Sequence, residues 1–109
     1  MSDFELGKLF STKQSTRKSI EACGMTFDVF VRRLPAVDLR KFFFEQQHDD
    51  MQVRSEAGFE ALVKSIRNED GGAFATKDDY RKMDSEAIGA LLRAFTEVNT
   101  QKVEELGND

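Results

Sequence analysis

Residues 17–33 predict a β-hairpin, two antiparallel strands joined by a tight turn, and apolar and polar residues alternate along its second strand. Gly24 and Met25 divide the stretch, and a Gly-X pair suits a two-residue type II′ turn in which glycine takes the positive φ. In the second strand, alternate residues are expected to face the core: Phe27, Val29 and Val31. Phe30 falls on the opposite, polar face, so it is expected to need cover from the N-terminal segment or from a partner.

Pro35 ends the second strand and favours the first turn of a helix over residues 35–47. This helix contains three consecutive phenylalanines, Phe42, Phe43 and Phe44. Because successive helical residues turn by about 100°, the three rings cannot share one face. Leu39, Phe42 and Phe43 form one apolar face, which is expected to pack in the core.

A second, narrower ridge lies on another side of the same helix. Val37 and Phe44 are about two helical turns apart and are flanked by the cations Arg40 and Lys41. One interpretation is that Phe44 packs under another element of the same chain, as phenylalanine usually does. The other is that these four residues form a partner-binding face, occupied by a different protein or by a second copy of this chain.

Three further helices are predicted after this one. The polar stretch that follows the first helix is interpreted as a loop ending at Ser55, a plausible N-cap. Apolar residues then recur at i, i+3, i+4 and i+7, which predicts a helix that stops at the Asp70-Gly71-Gly72 break. Thr76 and Asp79 resemble a capping box that opens a short helix, and a clean apolar stripe follows in the last helix. The three predicted ranges are 56–69, 77–83 and 85–99.

These elements predict an α+β fold that is predominantly helical, with an N-terminal β-hairpin followed by three to four helices. A single globular domain is expected to span residues 17–99. Residues 1–16 are interpreted as an N-terminal arm with docking residues Phe4 and Phe10 and a mobile end, and residues 100–109 as a C-terminal extension.

Composition fits this picture, with 39% hydrophobic and 33% charged residues in 109. A chain of this size and balance is expected to fold as one soluble domain. Its single cysteine, Cys23, cannot form an internal disulfide. The first ten residues contain acids where a signal peptide would have basic residues, and no apolar run reaches the length of a membrane span. The sequence therefore predicts a cytoplasmic protein that does not enter a membrane.

The net charge of −4 is unevenly distributed. Residues 1–41 hold eight Lys or Arg against five Asp or Glu, whereas residues 42–109 hold eight against fifteen. A basic half is a feature of some nucleic-acid-binding proteins. The candidate phosphate contacts are Lys13, Arg17, Lys18, Arg32 and Arg33. The excess is small and no recognition motif accompanies it, so a solvated surface is the preferred interpretation and no nucleic acid is expected to bind.

Candidate chemistry is sparse. An EF-hand reading of the acidic turn around Gly71 fails, because it would place Ile66 and Lys77 at the first and last ligand positions. His48 and Cys23 are single residues on separate elements, so no zinc cluster is predicted. A cysteine nucleophile would need a base brought close by the fold, whereas a small apolar role for Cys23 is commoner. We expect no catalytic residue, no metal and no cofactor.

The order of the hairpin, the acidic turn and the helices along the chain is similar to that of a known protein family. A basic hairpin runs into a helix, an acidic Gly-containing turn precedes a Phe, a short acidic helix follows, and a last helix of small and apolar residues ends at an Asn. The corresponding pieces are Val31-Arg32-Arg33-Leu34, Asn68-Glu69-Asp70-Gly71 with Phe74, Asp78 to Asp84, and Ala87 to Asn99. This arrangement, over about residues 9–99, resembles the tail assembly chaperones of long-tailed bacteriophages. The family's usual Asn-Gly at the end of the last helix is Asn99-Thr100 here.

The resemblance implies a non-enzymatic role. Such chaperones bind the long, helical, apolar tape-measure protein and keep it soluble until tail-tube protein polymerises around it. This chain would correspond to the short form, with a frameshift-extended form recruiting the tube protein. It also implies a homo-oligomer in the host cytoplasm that is absent from the mature virion. Two alternatives stay open: a small nucleic-acid-binding regulator, and a structural component of the virion tail or head.

Overall fold

The computed structural model describes the backbone of residues 15–107 and the side chains of residues 15–100. The chain is α+β and predominantly helical, and its described part begins with the predicted antiparallel hairpin. The elements are β1 Ser15–Ala22, β2 Met25–Arg32, α1 Ala36–Gln46, α2 Met51–Ser65, β3 Ile66–Arg67, α3 Lys77–Lys82 and α4 Ser85–Gly107. Phe4 and Phe10 of the proposed N-terminal arm lie outside the described residues.

The hairpin turn differs from the expected one by one residue. Cys23 and Gly24 occupy its two central positions, with φ of 55° and 75°, and Ala22 pairs with Met25. Two successive positive φ values are the mark of a type I′ turn, whose twist matches that of the flanking strands. The expected type II′ turn at Gly24-Met25 is therefore wrong. Cys23 takes the left-handed conformation that the sequence pattern assigned to glycine alone.

The strand faces are as expected. Val29 and Val31 are fully buried and Phe27 is half-buried, while Phe30 lies on the outer face and is also half-buried. The short strand β3 was not expected, because residues 66 and 67 were assigned to a helix. β3 pairs antiparallel with the far end of β2, giving a sheet in the order β1-β2-β3. Ile66 thus contributes its buried side chain from a strand rather than from a helix.

The second helix is displaced toward the N-terminus relative to the predicted range of 56–69. α2 begins at Met51, and Asp50 is its N-cap, because the Asp50 side chain accepts the Gln52 backbone N–H at 2.8 Å. The expected loop through Ser55 is therefore wrong. An aspartate cap accepts a backbone N–H that the first turn of a helix leaves unpaired. This cap lets the polar stretch after Asp50 form a helix. Ser65 ends α2, four residues before the predicted end.

The last two helices match the prediction closely at their starts. Thr76 and Asp79 form the expected capping box of α3, with reciprocal hydrogen bonds of 2.9 and 3.0 Å. Asp84 accepts the Glu86 backbone N–H at 2.8 Å and so caps the start of α4. α4 then continues past residue 99 to Gly107, so part of the expected C-terminal extension prolongs this helix. At the other end, β1 already includes residues 15 and 16 of the expected arm.

The core lies between the inner face of the sheet and helices α2, α3 and α4. Its largest fully buried side chains are Tyr80, Phe95, Leu62, Ile66 and Leu91. α4 crosses β1 and β2, and α1 packs against α2 at the edge of this core. The apolar stripe predicted for the last helix thus packs at the centre of the core. Burial raises the pKa of the Tyr80 hydroxyl well above its ordinary value.

Candidate partner-binding surface

The start of α1 is fixed to the rest of the domain by hydrogen bonds. Pro35 precedes the helix in extended backbone (φ −58°, ψ 154°), and its carbonyl accepts the N–H groups of Asp38 and Leu39 at 3.0 and 3.1 Å. One residue earlier, the buried Leu34 N–H donates to Asn99 Oδ1 at 2.7 Å. The amide of Asn99 therefore ties the beginning of α1 to α4, which sets where the exposed side of α1 lies.

Two further contacts hold α1 along its length. The Phe42 ring meets Phe95 of α4 edge-on, with the ring centroids 5.1 Å apart. Lys64 of α2 reaches Asp38 of α1 at 3.2 Å, and within α2 it also lies 3.5 Å from Glu60. Burial alone would lower the pKa of Lys64, but these two carboxylates outweigh it, so the pKa stands above its ordinary value. α1 thus presents a fixed outer side rather than an independently moving helix.

That outer side carries the apolar ridge that the sequence placed away from the core. Phe44 is 73% exposed and Val37 is 71% exposed, so the interpretation in which Phe44 packs under another element is wrong for the described chain. Arg40 and Lys41 are also exposed. We call these four residues, Val37, Arg40, Lys41 and Phe44, the α1 surface.

The two cations of the α1 surface differ in their surroundings. Lys41 leans toward α2, where its Nζ lies 3.8 Å from Glu60. No acid of residues 15–100 lies within ion-pair distance of Arg40. Arg40 sits one turn from both apolar residues, so its charge is available to a partner at the centre of the ridge.

Phe43 corrects one expectation about this helix. It was expected in the core beside Phe42, but the residue is 41% exposed. Its ring rests edge-on against Phe42 with centroids 5.2 Å apart. Because α1 lies at the edge of the domain, only the arc centred on Phe42 reaches the core, and Phe43 falls at its margin. Phe43 therefore extends the apolar area beside Phe44, which no feature of the sequence indicated.

The basic residues named for nucleic acid are divided by the fold. Arg17 and Lys18 are neighbours in β1 and therefore point to opposite faces of the sheet. Arg17 is paired with Asp28 on the outer face, and Lys18 contacts Glu97 of α4 at 3.4 Å. Lys13 lies outside the described residues. The fold does place Arg32 near Arg67, whose pKa is lowered by burial and then by the Arg32 charge.

Cys23 and His48 occupy separate environments. The Cys23 thiol lies with carboxylate oxygens of Asp84 and Glu86 inside a 4.8 Å cluster, and all three residues are exposed. Burial of the thiol and the two negative charges raise the pKa of Cys23, whereas a nucleophilic thiol needs a lowered pKa. His48 Nδ1 accepts the Asp50 backbone N–H at 3.0 Å. In the Cys23 cluster, the Glu86 carboxylate accepts the Cys23 backbone N–H at 2.9 Å, and the Asp84 carboxylate accepts the Glu86 backbone N–H at 2.8 Å.

The acidic turn between β3 and α3 closes on its own backbone. The Asn68 N–H donates to the Gly72 carbonyl at 2.8 Å, and the Gly72 N–H donates to Asp70 Oδ1 at 2.8 Å. Gly71 takes a φ of 88°, which favours glycine. The side chain of Asp70 thus stabilises the turn by accepting a backbone N–H.

Comparison with protein-family models, with curated proteins and with solved structures finds no match to this chain. None of the described helices is both long enough and apolar enough to cross a lipid bilayer. The α1 surface is therefore assessed on its own geometry: two exposed apolar side chains, and an arginine without an ion-pair partner among residues 15–100, on a helix that the core holds in place. Such a surface suits the binding of another protein chain.

Proposed function

We propose that this protein is a tail assembly chaperone of a long-tailed phage, in its short form, which binds the tape-measure protein and keeps it soluble in the host cytoplasm. The role is non-enzymatic. The observation that supports it most directly is the exposure of Val37 and Phe44 on one side of α1. The second support is the resemblance in the order of the parts along the chain.

The physical reasoning starts from the client. A long apolar helix aggregates unless its apolar side is covered, and a chaperone for it needs exposed apolar points set among charges. Burying one phenylalanine side chain at such a point contributes about 1.5–3 kcal/mol to binding. The charges around it keep the free chaperone soluble and are left in the solvated rim of the complex. Phe44 with Val37, flanked by Arg40 and Lys41, meets this requirement.

The direct test is co-expression of this protein with the tape-measure protein of the same phage, followed by co-purification. Phe44→Asp is expected to abolish recovery of the partner and to move it into the insoluble fraction. Met51→Asp is the matched control, because Met51 is 70% exposed but lies on α2, outside the α1 surface. Circular dichroism of both variants verifies that each is folded. A folded Phe44→Asp protein that keeps its partner in solution would exclude the α1 surface.

The α1 surface also suits contact with a second copy of this chain, which the homo-oligomer interpretation requires. Light scattering separates the two uses. If self-association occupies the surface, the wild-type protein alone is larger than a monomer and Phe44→Asp reduces its mass. If only the client occupies it, both proteins have the same mass and differ only in partner recovery.

A chaperone is also distinguished from a structural component of the virion by its fate. A chaperone leaves before the tail is complete, whereas a tail or head component remains. Mass spectrometry of purified particles is expected to find no peptides of this protein. Peptides at a fixed ratio to the tube protein would instead favour the structural alternative.

A further inference from the structure

A second apolar surface, separate from the α1 surface, lies where the hairpin turn meets the start of α4. It is a groove of about 760 Å³. We call it the hairpin-tip groove, and its apolar walls are formed by Met25, Phe27, Phe74, Met83, Ala87 and Leu91. The rings of Phe27 and Phe74 lie parallel, with centroids 6.0 Å apart. Met25 is 59% exposed, so the inner face of the hairpin is left uncovered at this end.

Acidic groups stand at the edge of this groove. Asp84 lines it, and Glu86 lies close enough that one oxygen of each carboxylate falls within 4.8 Å of the other. Within the described part of the chain, no Lys or Arg forms an ion pair with either carboxylate, whereas the nearby Asp28 is neutralised by Arg17. The thiol of Cys23, which also lines the groove, has a pKa raised by burial and by both charges. Two close carboxylates, hydrogen-bonded to backbone N–H groups but without an ion-pair partner among the described residues, therefore lie at an apolar groove.

The chain's own N-terminal segment is a poor match for this groove. Ser15 lies at the open end of the hairpin, opposite Arg32, and the groove begins about 23 Å away at residue 22, seven strand residues along. At full extension, Phe10 reaches only about 17 Å from residue 15. The first eight residues can reach that far, and among them the acids Asp3 and Glu5 outnumber Lys8. Like charges would then face each other.

We propose that the hairpin-tip groove binds a basic amphipathic helix of another protein, with its apolar side against Phe27 and Phe74 and its lysines or arginines at Asp84 and Glu86. A helix satisfies its own backbone hydrogen bonds, so it can enter a groove whose walls are almost entirely apolar side chains. The flexible side chains of Met25 and Met83 can adapt to different apolar residues. This site is separate from the α1 surface, and its assignment does not depend on the client proposed there.

The probe is a fluorescein-labelled peptide about five helical turns long, with leucine along one side and lysine along the other. Its control has glutamate in place of lysine. Binding is measured by fluorescence anisotropy, and its position by NMR of protein labelled with ¹³C in the methionine methyl groups. The methyl signals of Met25 and Met83 are expected to shift on binding. Met51 lies outside the groove and is expected to stay unchanged.

The charge requirement is tested with Asp84→Asn combined with Glu86→Gln. Asparagine caps a helix as well as aspartate, and glutamine keeps an oxygen that can accept the Cys23 N–H, so both local hydrogen bonds survive. Loss of two surface ion pairs is expected to weaken the lysine peptide by about three- to tenfold. The matched control is Asp49→Asn combined with Glu69→Gln, which changes net charge equally at exposed acids outside the groove. It is expected to bind as the wild type does.

Several results would overturn the proposal. The first is equal affinity for the lysine and glutamate peptides, or equal weakening by both double variants. The second is a shift of the Met51 signal without shifts at Met25 and Met83. If Phe4→Asp shifts the groove methyl signals in the absence of peptide and tightens peptide binding, the N-terminal segment is the occupant instead. If Met25→Gln converts a wild-type oligomer into a monomer, the occupant is a second copy. Phe44→Asp should leave peptide binding unchanged, which keeps this test independent of the α1 surface.

Discussion

Asn99 is a buried polar side chain at the point where β2, α1 and α4 meet, and its replacement by leucine tests how the domain is joined there. Only 2% of the residue is exposed. Its Oδ1 accepts the Leu34 N–H at 2.7 Å, and its Nδ2 donates to the Arg32 carbonyl at 3.3 Å and to the Phe95 carbonyl at 3.0 Å. Leucine has a similarly branched but larger side chain, and it offers none of these bonds.

The expected loss can be worked from these contacts. An unpaired backbone N–H at residue 34, in buried surroundings, costs about 1–3 kcal/mol. The Arg32 carbonyl loses a long hydrogen bond and contributes less, while the Phe95 carbonyl keeps its place in the helical ladder. We therefore expect Asn99→Leu to lower the free energy of unfolding by about 2–4 kcal/mol, a large part of the 5–15 kcal/mol typical of a domain.

Urea denaturation followed by circular dichroism measures this difference, provided that the slope of the transition stays constant. Thr100→Val is the matched control on the next residue of α4. The Thr100 hydroxyl donates only to the Thr96 carbonyl, at 2.6 Å within the same helix, so a change within about 0.5 kcal/mol is expected. If Asn99→Leu is no more destabilising than Thr100→Val, the amide of Asn99 does not hold this junction together and the reasoning fails.

Three other predictions follow from the packing and charges described above. Phe42→Ala should lower the free energy of unfolding by about 2–4 kcal/mol and Phe44→Ala by less than about 0.5, measured by urea denaturation; equal losses would place both rings in the core. Asp84→Asn should speed the reaction of Cys23 with a disulfide reagent at mildly alkaline pH, because losing a nearby negative charge lowers the thiol pKa; an unchanged or slower reaction would contradict this. Hydrogen bonds from Arg81 are the chief cause that lowers the pKa of Glu56 to about 2. The contribution of Glu56 to the free energy of unfolding is therefore present above about pH 4.5 and is lost as pH falls toward about 2. The difference in thermal midpoint between wild type and Glu56→Gln should shrink across that window, and a difference that is independent of pH would refute the assignment.

The sequence by itself determined the elements whose signals are local. Strand alternation identified the hairpin and the buried pair Val29 and Val31, and the capping box at Thr76 located the start of α3. These signals succeed because periodicity and capping depend on residues a few positions apart. The same arithmetic separated Phe44 from Phe42 around α1, since a helix turns by about 100° per residue whatever surrounds it.

The errors fall where local and non-local preferences compete. Ile66 continues the apolar spacing of a helix, yet it forms β3 together with Arg67. Pairing with β2 buries Ile66 and satisfies backbone groups at the sheet edge. The turn at Cys23 takes positive φ on a residue other than glycine, since the strands' register fixes which two residues form the loop. Neither choice can be made without the partner strand.

Tertiary structure alone decided which apolar residues are covered. The apolar pattern of α1 is the same whether the helix lies at the centre or at the edge of the domain, and its position at the edge leaves Phe43 partly exposed. The hairpin-tip groove likewise combines side chains from residue 25 to residue 91, and no sequence periodicity connects them. The sequence pattern identified Asn99 only as the end of the last helix. In the structure its hydrogen bonds join it to Leu34 and Arg32, which lie 65 and 67 positions earlier in the chain. Burial depends on which surfaces meet in space, and that is fixed by contacts distant in the chain.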